Sequence, residues 1–318
     1  ELEVDLGTFL EEEYQRKILA EVLEVNGERV FERTQDLKIE NLKIIKDYLS
    51  DITEQNADSV NEIAKNSLNQ EELFLTNGFK LIFSPKFTKL IIDWFTNKFM
   101  VIYRADSMQL IKRFADPKKK AIYVEKTTDE AAKLFGINSN AVGYVVSDDE
   151  PDAKLYSVFK NMKNKKTTAV AADIFESYGT IRFINMFPLV IKAMQTGGTL
   201  VVDEFDASIH PMALMSIINV FHNDDVNIHH AQLIFNTHNP IFLNSNLFRR
   251  DEIKFVERDD DTHDSVLYAL SDFGTTGDKG VRKHEDYMSK YFISQYGAIK
   301  DIDFTPIFEK ILCDEKEG

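Results

Sequence analysis

The residues best suited to chemistry follow a short apolar run at 199–202, where Asp203 and Glu204 stand side by side. An apolar strand that ends in adjacent carboxylates is typical of nucleotide hydrolysis, because the buried strand fixes both carboxylates at the sheet edge where ligands bind. In this interpretation Asp203 holds Mg²⁺ through water and Glu204, as a catalytic residue, polarises the attacking water. The alternative is an ordinary turn whose carboxylates are merely solvated.

A second apolar run, 233–235, is followed by Asn236-Thr237-His238. If the two runs form neighbouring parallel strands, His238 lies beside the carboxylates and within reach of a γ-phosphate. The alternative is a polar residue at a strand end that the backbone satisfies. Between the two runs, Asp206 begins a short turn that leads to Pro211, a residue suited to the first turn of a helix.

Upstream, Ser177, Gly179 and Thr180 immediately precede a long helical pattern. A Ser and a Gly at a helix amino terminus offer backbone N–H groups, a hydroxyl and the positive end of the helix dipole to an anion. A plain Ser N-cap is the alternative. The order of the parts favours the nucleotide interpretation: anion-binding helix start, carboxylate strand, short turn, His-terminated strand.

Alternating strands and helices after residue 168 must position these residues, and they predict an α/β fold with a mostly parallel sheet. The predicted strands are 199–202 and 232–235, and the predicted helices are 181–194 and 211–222. Residues 252–257 and 265–270 flank an acidic turn and predict a β-hairpin.

The earlier part of the chain predicts two further regions. Residues 1–35 indicate three strands, with Asn26-Gly27 as a hairpin turn. Residues 36–167 show mainly helical spacing and predict a helical insertion or arm. Residues 168–318 would then form the remaining domain.

Composition narrows the class of protein. The 318 residues carry a formal net charge of −15, which argues against nucleic-acid binding through the average surface. The single cysteine, Cys313, excludes an internal disulfide framework and fits a reducing cytoplasm. No apolar run approaches the roughly 20 residues that span a bilayer, so we expect a cytoplasmic protein without a membrane partner.

Residues 173–300 resemble the carboxyl lobe of ABC-type ATPases, within the bacterial AAA-like ATP-binding proteins related to the abortive-infection and overcoming-lysogenization-defect ATPases. The resemblance implies a P-loop NTPase fold that uses ATP and Mg²⁺. It assigns Ser177, Gly179 and Thr180 to the signature loop and 200–204 to Walker B. It assigns Asp206 to the D-loop and His238 to the switch histidine. More loosely, residues 1–35 resemble the strands that follow the phosphate loop of such proteins.

One motif of this family does not occur in the sequence. The phosphate loop, G-x-x-x-x-G-K-[ST], is absent, and the nearest imitation, Gly274 to Gly280, has the wrong spacing. In the family the loop precedes everything seen here, so the resemblance implies an upstream segment ahead of residue 1. Without the loop, we expect the 318 residues alone neither to bind ATP tightly nor to hydrolyse it.

The resemblance implies an ATP-driven switch in bacterial anti-phage defence. Its signature loop contacts the nucleotide of a second subunit, which implies a homodimer with two composite ATP sites. Any toxic effector, such as a nuclease, would be a separate protein. One alternative is an ATPase of DNA repair or chromosome maintenance, although nothing in the sequence supports DNA contact. A non-catalytic interaction scaffold that lost the phosphate loop is another.

Overall fold

The structure is a computed structural model. It describes residues 2–5, 17–34, 36–49, 62, 66, 69, 71–77, 83–102, 121–123, 126–137, 139–145, 154–160, 166–276, 280–300 and 302–314. The chain divides into two compact units, Glu1–Met100 and Val101–Gly318. This division lies at neither of the boundaries predicted near residues 36 and 168.

The first unit contains a four-stranded antiparallel sheet in the order β1-β2-β3-β4. Its strands are β1 (Leu2–Asp5), β2 (Lys17–Val25), β3 (Glu28–Arg33) and β4 (Leu37–Ile39). Asn26 and Gly27 join β2 to β3 with φ angles of 54° and 79°. Two positive φ angles are what a two-residue hairpin turn requires, so the predicted hairpin is confirmed.

Helical segments complete the first unit. They are a 3₁₀ helix (Leu42–Tyr48), α1 (Phe74–Asn77), α2 (Pro85–Asp93) and a π-helical turn (Trp94–Lys98). Ser84 caps α2 by accepting from the N–H of Phe87. The buried core consists mainly of aromatic and aliphatic residues: Val30, Phe31, Leu37, Ile45, Phe74, Phe83 and Phe87.

A buried polar contact ties the sheet of the first unit to the start of α1. The carboxylate of Glu21 accepts from the backbone N–H groups of Phe74 and Leu75, at 2.8 and 2.7 Å. Arg33 lies 3.7 Å from Glu21 and donates to the carbonyl of Glu72. Burial raises the pKa of the Glu21 carboxyl, and these hydrogen bonds and Arg33 act in the opposite direction.

The second unit begins with an antiparallel sheet in the order β6-β7-β8-β9. A short strand, β5 (Phe99–Ile102), precedes this sheet in the chain, and its last two residues belong to the second unit. The sheet strands are β6 (Ala121–Tyr123), β7 (Ala141–Val145), β8 (Lys154–Lys160) and β9 (Thr167–Ala171), with α3 (Lys126–Phe135) between β6 and β7.

This sheet adds strands to the region 36–167, where we expected mainly helical structure. Four strands lie between residues 121 and 171, and β2 to β4 already reach residue 39. The described residues of the region also include helical segments at 42–48, 74–77, 85–98 and 126–135. The strands were not predicted because β7 and β8 lack strict alternation. Ser157, for example, is fully buried within β8. Residues 50–61 and 103–120 lie outside the described part of the chain.

A helix-strand-helix-strand succession follows, as predicted. It comprises α4 (Ala172–Phe175), α5 (Tyr178–Thr196), β10 (Thr199–Val202), α6 (Pro211–His222) and β11 (Gln232–Phe235). Gly197 ends α5 in the left-handed conformation, with φ 62°. β10 and β11 pair in parallel, with Leu200 opposite Leu233 and Val202 opposite Phe235.

The fold is therefore mixed α/β with a parallel strand pair. The three-stranded sheet has the order β11-β10-β5, and the other sheets of the described chain pair antiparallel. Leu200 and Val202 of β10 are buried. Because β10 is buried, the segment that follows it starts from a fixed position.

The sheet β6–β9 packs on the start of α5 through polar and aromatic contacts. Tyr144 of β7 donates from its hydroxyl to Asn185 Oδ1 at 2.6 Å. Burial raises the pKa of Tyr144, so the hydroxyl stays a donor. Ser157 donates to Glu176 Oε1 at 2.7 Å, one residue before α5 is capped. The antiparallel sheet thus fixes the amino end of this helix.

The last part of the chain begins with a short 3₁₀ helix (Pro240–Phe242) and the predicted hairpin, β12 (Lys254–Arg258) and β13 (Ser265–Ala269). A 3₁₀ helix (Leu270–Phe273), α7 (Tyr287–Phe292) and α8 (Thr305–Asp314) follow. Phe255, Leu270, Tyr287 and Tyr296 are among its buried core residues. In the described part of the chain, no helix combines the length and the apolar character needed to cross a bilayer.

Candidate functional site

The two adjacent carboxylates lie at the carboxyl end of β10, where the sequence placed them. Asp203 and Glu204 directly follow Val202, and both are exposed. The N–H of Asp203 still belongs to the sheet, since it donates to the carbonyl of Ile102 at 3.0 Å. Glu204 turns the chain away with φ 48°, a left-handed conformation that a residue other than Gly seldom adopts. We call Asp203 and Glu204 the carboxylate turn.

Asn236, the first residue after β11, is bonded to the carboxylate turn by its side chain. Its Nδ2 donates to Asp203 Oδ1 at 2.6 Å, and its Oδ1 accepts from the N–H of Glu204 at 2.6 Å. Its backbone also pairs with the end of β10: the N–H of Phe205 donates to its carbonyl at 3.1 Å. Both the side chain and the backbone of Asn236 therefore join the ends of the two strands.

Arg182 approaches the carboxylate turn from α5. Its guanidinium donates to the backbone carbonyls of Asp203 and Glu204, the former at 3.3 Å. The side chain is buried, with 3% of the residue exposed. A buried guanidinium that bonds to two consecutive carbonyls orients the peptide groups of the turn and links them to the helix.

His238 lies two residues beyond Asn236, in the bend between β11 and the 3₁₀ helix, and is exposed. Asn239 follows it and accepts from the N–H of Ile241 at 3.1 Å, which starts that helix. Because β10 and β11 are parallel and in register, His238 and the carboxylate turn leave the sheet at the same edge. This placement is the one that the sequence predicted.

Ser177 is the N-cap of α5. Its Oγ accepts from the N–H of Thr180 at 3.0 Å and lies 2.7 Å from Thr180 Oγ1. Thr180 and Gly179 are buried, whereas Ser177 is exposed. Ser177 is therefore a Ser N-cap, as the alternative interpretation has it. Of the three predicted residues, Ser177 alone is exposed and accessible to a ligand.

The packing around residue 179 leaves room only for a glycine. A Cβ at this position would stand 2.0 Å from the carbonyl oxygen of Ser208, a backbone atom. Ser208 itself has φ 62° and belongs to the turn that starts at Asp206. The turn closes through the N–H of Ala207, which donates to the carbonyl of Glu204 at 3.0 Å. The start of α5 and this turn therefore touch backbone to backbone.

The structure thus brings most of the predicted residues into one connected group within the second unit. Gly179 and Arg182 link the start of α5, where Ser177 and Thr180 also lie, with the turn at 206–208 and the carboxylate turn. His238 follows β11 at the same sheet edge. Asp206 is partly exposed beside Glu204.

The oxygen groups at this edge fit a hard cation that keeps its own water. Mg²⁺ takes one or two carboxylates together with waters and phosphate oxygens, and Asp203 offers such a carboxylate. Among the residues that the structure describes, no group of three or more His, Cys, Asp or Glu side chains could hold a metal ion. A cation here would therefore depend on water and on a phosphate ligand, as Mg²⁺ does with nucleotides.

Residues 104–244 match a protein family described as "AAA domain, putative AbiEii toxin, Type IV TA system". The resemblance to an AAA-like, abortive-infection-related ATPase family is confirmed. The matched segment is less than half of the 318 residues, but it includes every candidate site residue from Ser177 to His238. The match supports an ATPase-type function. No curated protein and no solved structure is significantly similar to the chain.

Two residues of the site were missed by sequence reasoning, Asn236 and Arg182. Arg182 had a detectable signal, because it is the one charged residue in the first turns of an otherwise apolar helix. Such a charge calls for a buried partner. Asn236 had only its position as the first polar residue after the apolar run 233–235, and its contacts depend on how the two strands pair.

We expect the substitution Gly179→Ala to destabilise the protein. In an open helix this change stabilises by about 1 kcal/mol, but here the added methyl group meets the Ser208 carbonyl. Overpacking against backbone costs about 1–3 kcal/mol. Urea unfolding measures the difference. A free energy of unfolding that rises by about 1 kcal/mol, the full amount of an open helix position, would contradict the contact between Gly179 and Ser208.

Proposed function

We propose that this protein is an ATP-hydrolysing switch of the ABC type, which works as a homodimer in bacterial anti-phage defence. The observation that carries the proposal is the parallel pairing of β10 and β11, which gathers Asp203, Glu204 and His238 at one sheet edge. The match to an AAA domain supports ATP as the substrate, and the description of that family supports the defence setting.

Each residue has a role that its position supports. Glu204, exposed at the turn, accepts the proton of the attacking water as general base. Asp203 would hold Mg²⁺ through water, and Mg²⁺ would offset the negative charge of the phosphates. His238, exposed at the same edge, donates a hydrogen bond to the γ-phosphate. Asp206 belongs to the turn that connects Glu204 to Ser208.

The groups exposed at the start of α5 are the basis for proposing a dimer. Ser177 is exposed there, and the positive end of the helix dipole favours an anion such as a partner's nucleotide. The neighbouring residues Ile174, Phe175 and Tyr178 carry large apolar side chains that lie open to solvent. Exposed apolar groups beside a polar residue are typical of an interface between proteins.

A non-catalytic scaffold is the second candidate, and one observation favours it. The phosphate loop motif does not occur in the sequence, so its backbone cradle and its lysine are not supplied by these 318 residues. A scaffold has no need for exposed carboxylates and a histidine at one sheet edge. For this reason we prefer the ATPase.

Glu204→Gln is expected to lower kcat for ATP by about 10²–10⁴-fold, because general-base catalysis contributes that much. The amide keeps the shape of the side chain, so ATP binding should persist. The measurement is phosphate release and nucleotide binding by the natively expressed protein. Glu309→Gln, on the exposed face of α8, is the matched control and should hydrolyse ATP normally. Full activity in Glu204→Gln, or no ATP binding by the wild type, would favour the scaffold.

The composite sites predict that two inactive variants restore each other. Ser177→Arg should block the contact to the partner's nucleotide, and Glu204→Gln should stop hydrolysis in its own chain. In an equal mixture half of the dimers are mixed, and each mixed dimer has one intact site. The mixture should therefore recover about a quarter of the wild-type rate. A rate no higher than the sum of the separate variants would show that Ser177 does not act across subunits.

A further inference from the structure

We propose that Asn236 is a positioning residue of the hydrolytic site, which fixes Asp203 and Glu204 relative to each other. The expected effect of Asn236 on the rate of ATP hydrolysis rests on the proposed function. Its structural part depends only on the hydrogen bonds between the Asn236 amide and the carboxylate turn.

The orientation of the amide follows from its two partners. A backbone N–H can only donate, so the Asn236 atom that faces Glu204 N must be the carbonyl oxygen. An ionised carboxylate can only accept, so the atom that faces Asp203 Oδ1 must be the nitrogen. Both partners demand the same orientation. One rigid planar group therefore sets the backbone of Glu204 and the side chain of Asp203 together.

Glu204 needs such a support because its φ angle of 48° is unfavourable for a residue with a Cβ. Its N–H is held by Asn236, and its carbonyl is held by Arg182. The left-handed conformation is thus fixed on both sides. Since φ and ψ decide where the side chain points, the same hydrogen bonds decide where the Glu204 carboxylate stands.

For Asp203 the amide is a suitable partner chemically. It occupies one carboxylate oxygen at 2.6 Å and carries no charge, so the negative charge of Asp203 is preserved for a cation. A lysine or arginine in this place would neutralise it. Holding one oxygen also restricts rotation of the carboxylate, and this orients the second oxygen.

The side chain is not needed to hold the strands together. The backbone of Asn236 already does so, since its N–H donates to the carbonyl of Val202 at 3.3 Å and its carbonyl accepts from Phe205. Loss of the amide should therefore displace the carboxylates and leave the sheet in place. This separates a positioning role from a merely structural one.

The decisive variant is Asn236→Asp, which keeps the acceptor for Glu204 N–H and replaces the donor by a second carboxylate. The second carboxylate repels that of Asp203 instead of holding it, because two adjacent negative charges disfavour each other. The variant therefore removes the donor to Asp203 and keeps the acceptor for Glu204.

At pH 8 we expect Asn236→Asp to reduce kcat by about 10–100-fold and to raise the Mg²⁺ concentration for half-maximal rate similarly. The KM for ATP should change much less. Asn236→Ala, which lacks both the donor to Asp203 and the acceptor for Glu204, should reduce kcat as well. Asn223→Asp is the control, because Asn223 accepts from Asp225 N–H in an exposed turn after α6.

Wild-type kcat and Mg²⁺ dependence in Asn236→Asp or in Asn236→Ala would overturn the proposal. Should the wild type hydrolyse no ATP, the proposed function fails, and the free energy of unfolding at pH 8 decides about Asn236. Asn236→Asp should then lose more stability than Asn223→Asp, because it places two carboxylates next to each other. If the two variants are equally stable, the amide does not position Asp203.

Discussion

The candidate site depends on one constraint, the parallel and in-register pairing of β10 with β11. Val202 lies opposite Phe235, so the residues after each strand emerge at the same sheet edge. The Asn236 amide then closes the gap between the two ends, with both of its hydrogen bonds at 2.6 Å. A shift of one residue in this register would separate Asn236 from Asp203 and turn every side chain of the strand to the other face.

The same edge is tied to the start of α5, and this has a consequence for a switch. Arg182 holds the carbonyls of the carboxylate turn, and Gly179 touches the backbone of Ser208. The helix end proposed to meet a partner's nucleotide and the turn proposed to hydrolyse the chain's own nucleotide are therefore parts of one packed group. Packed groups of this kind shift between discrete arrangements, so an event at Ser177 has a physical route to Glu204.

Sequence patterns predicted the elements whose limits are marked by local chemistry. Pro211 and the two short apolar runs predicted the bounds of α6, β10 and β11, and Gly197 marked the end of α5, which begins three residues before the predicted start. The sheet β6–β9 was not predicted, because its strands carry buried polar residues such as Ser157 and lack clean alternation. The contacts of Asn236 and Arg182 could not be predicted either. They join residues far apart in sequence and exist only once the register of the strands is set.

The most direct test is a crystal structure of the natively expressed protein with Mg²⁺ and a non-hydrolysable ATP analogue. The measured quantities are the distances from the γ-phosphate to His238 and to the water beside Glu204. We expect His238 to lie within hydrogen-bond distance of the γ-phosphate, with Ser177 of a second copy on the opposite side. A nucleotide bound away from the carboxyl end of β10, or no binding at millimolar concentrations, would contradict it.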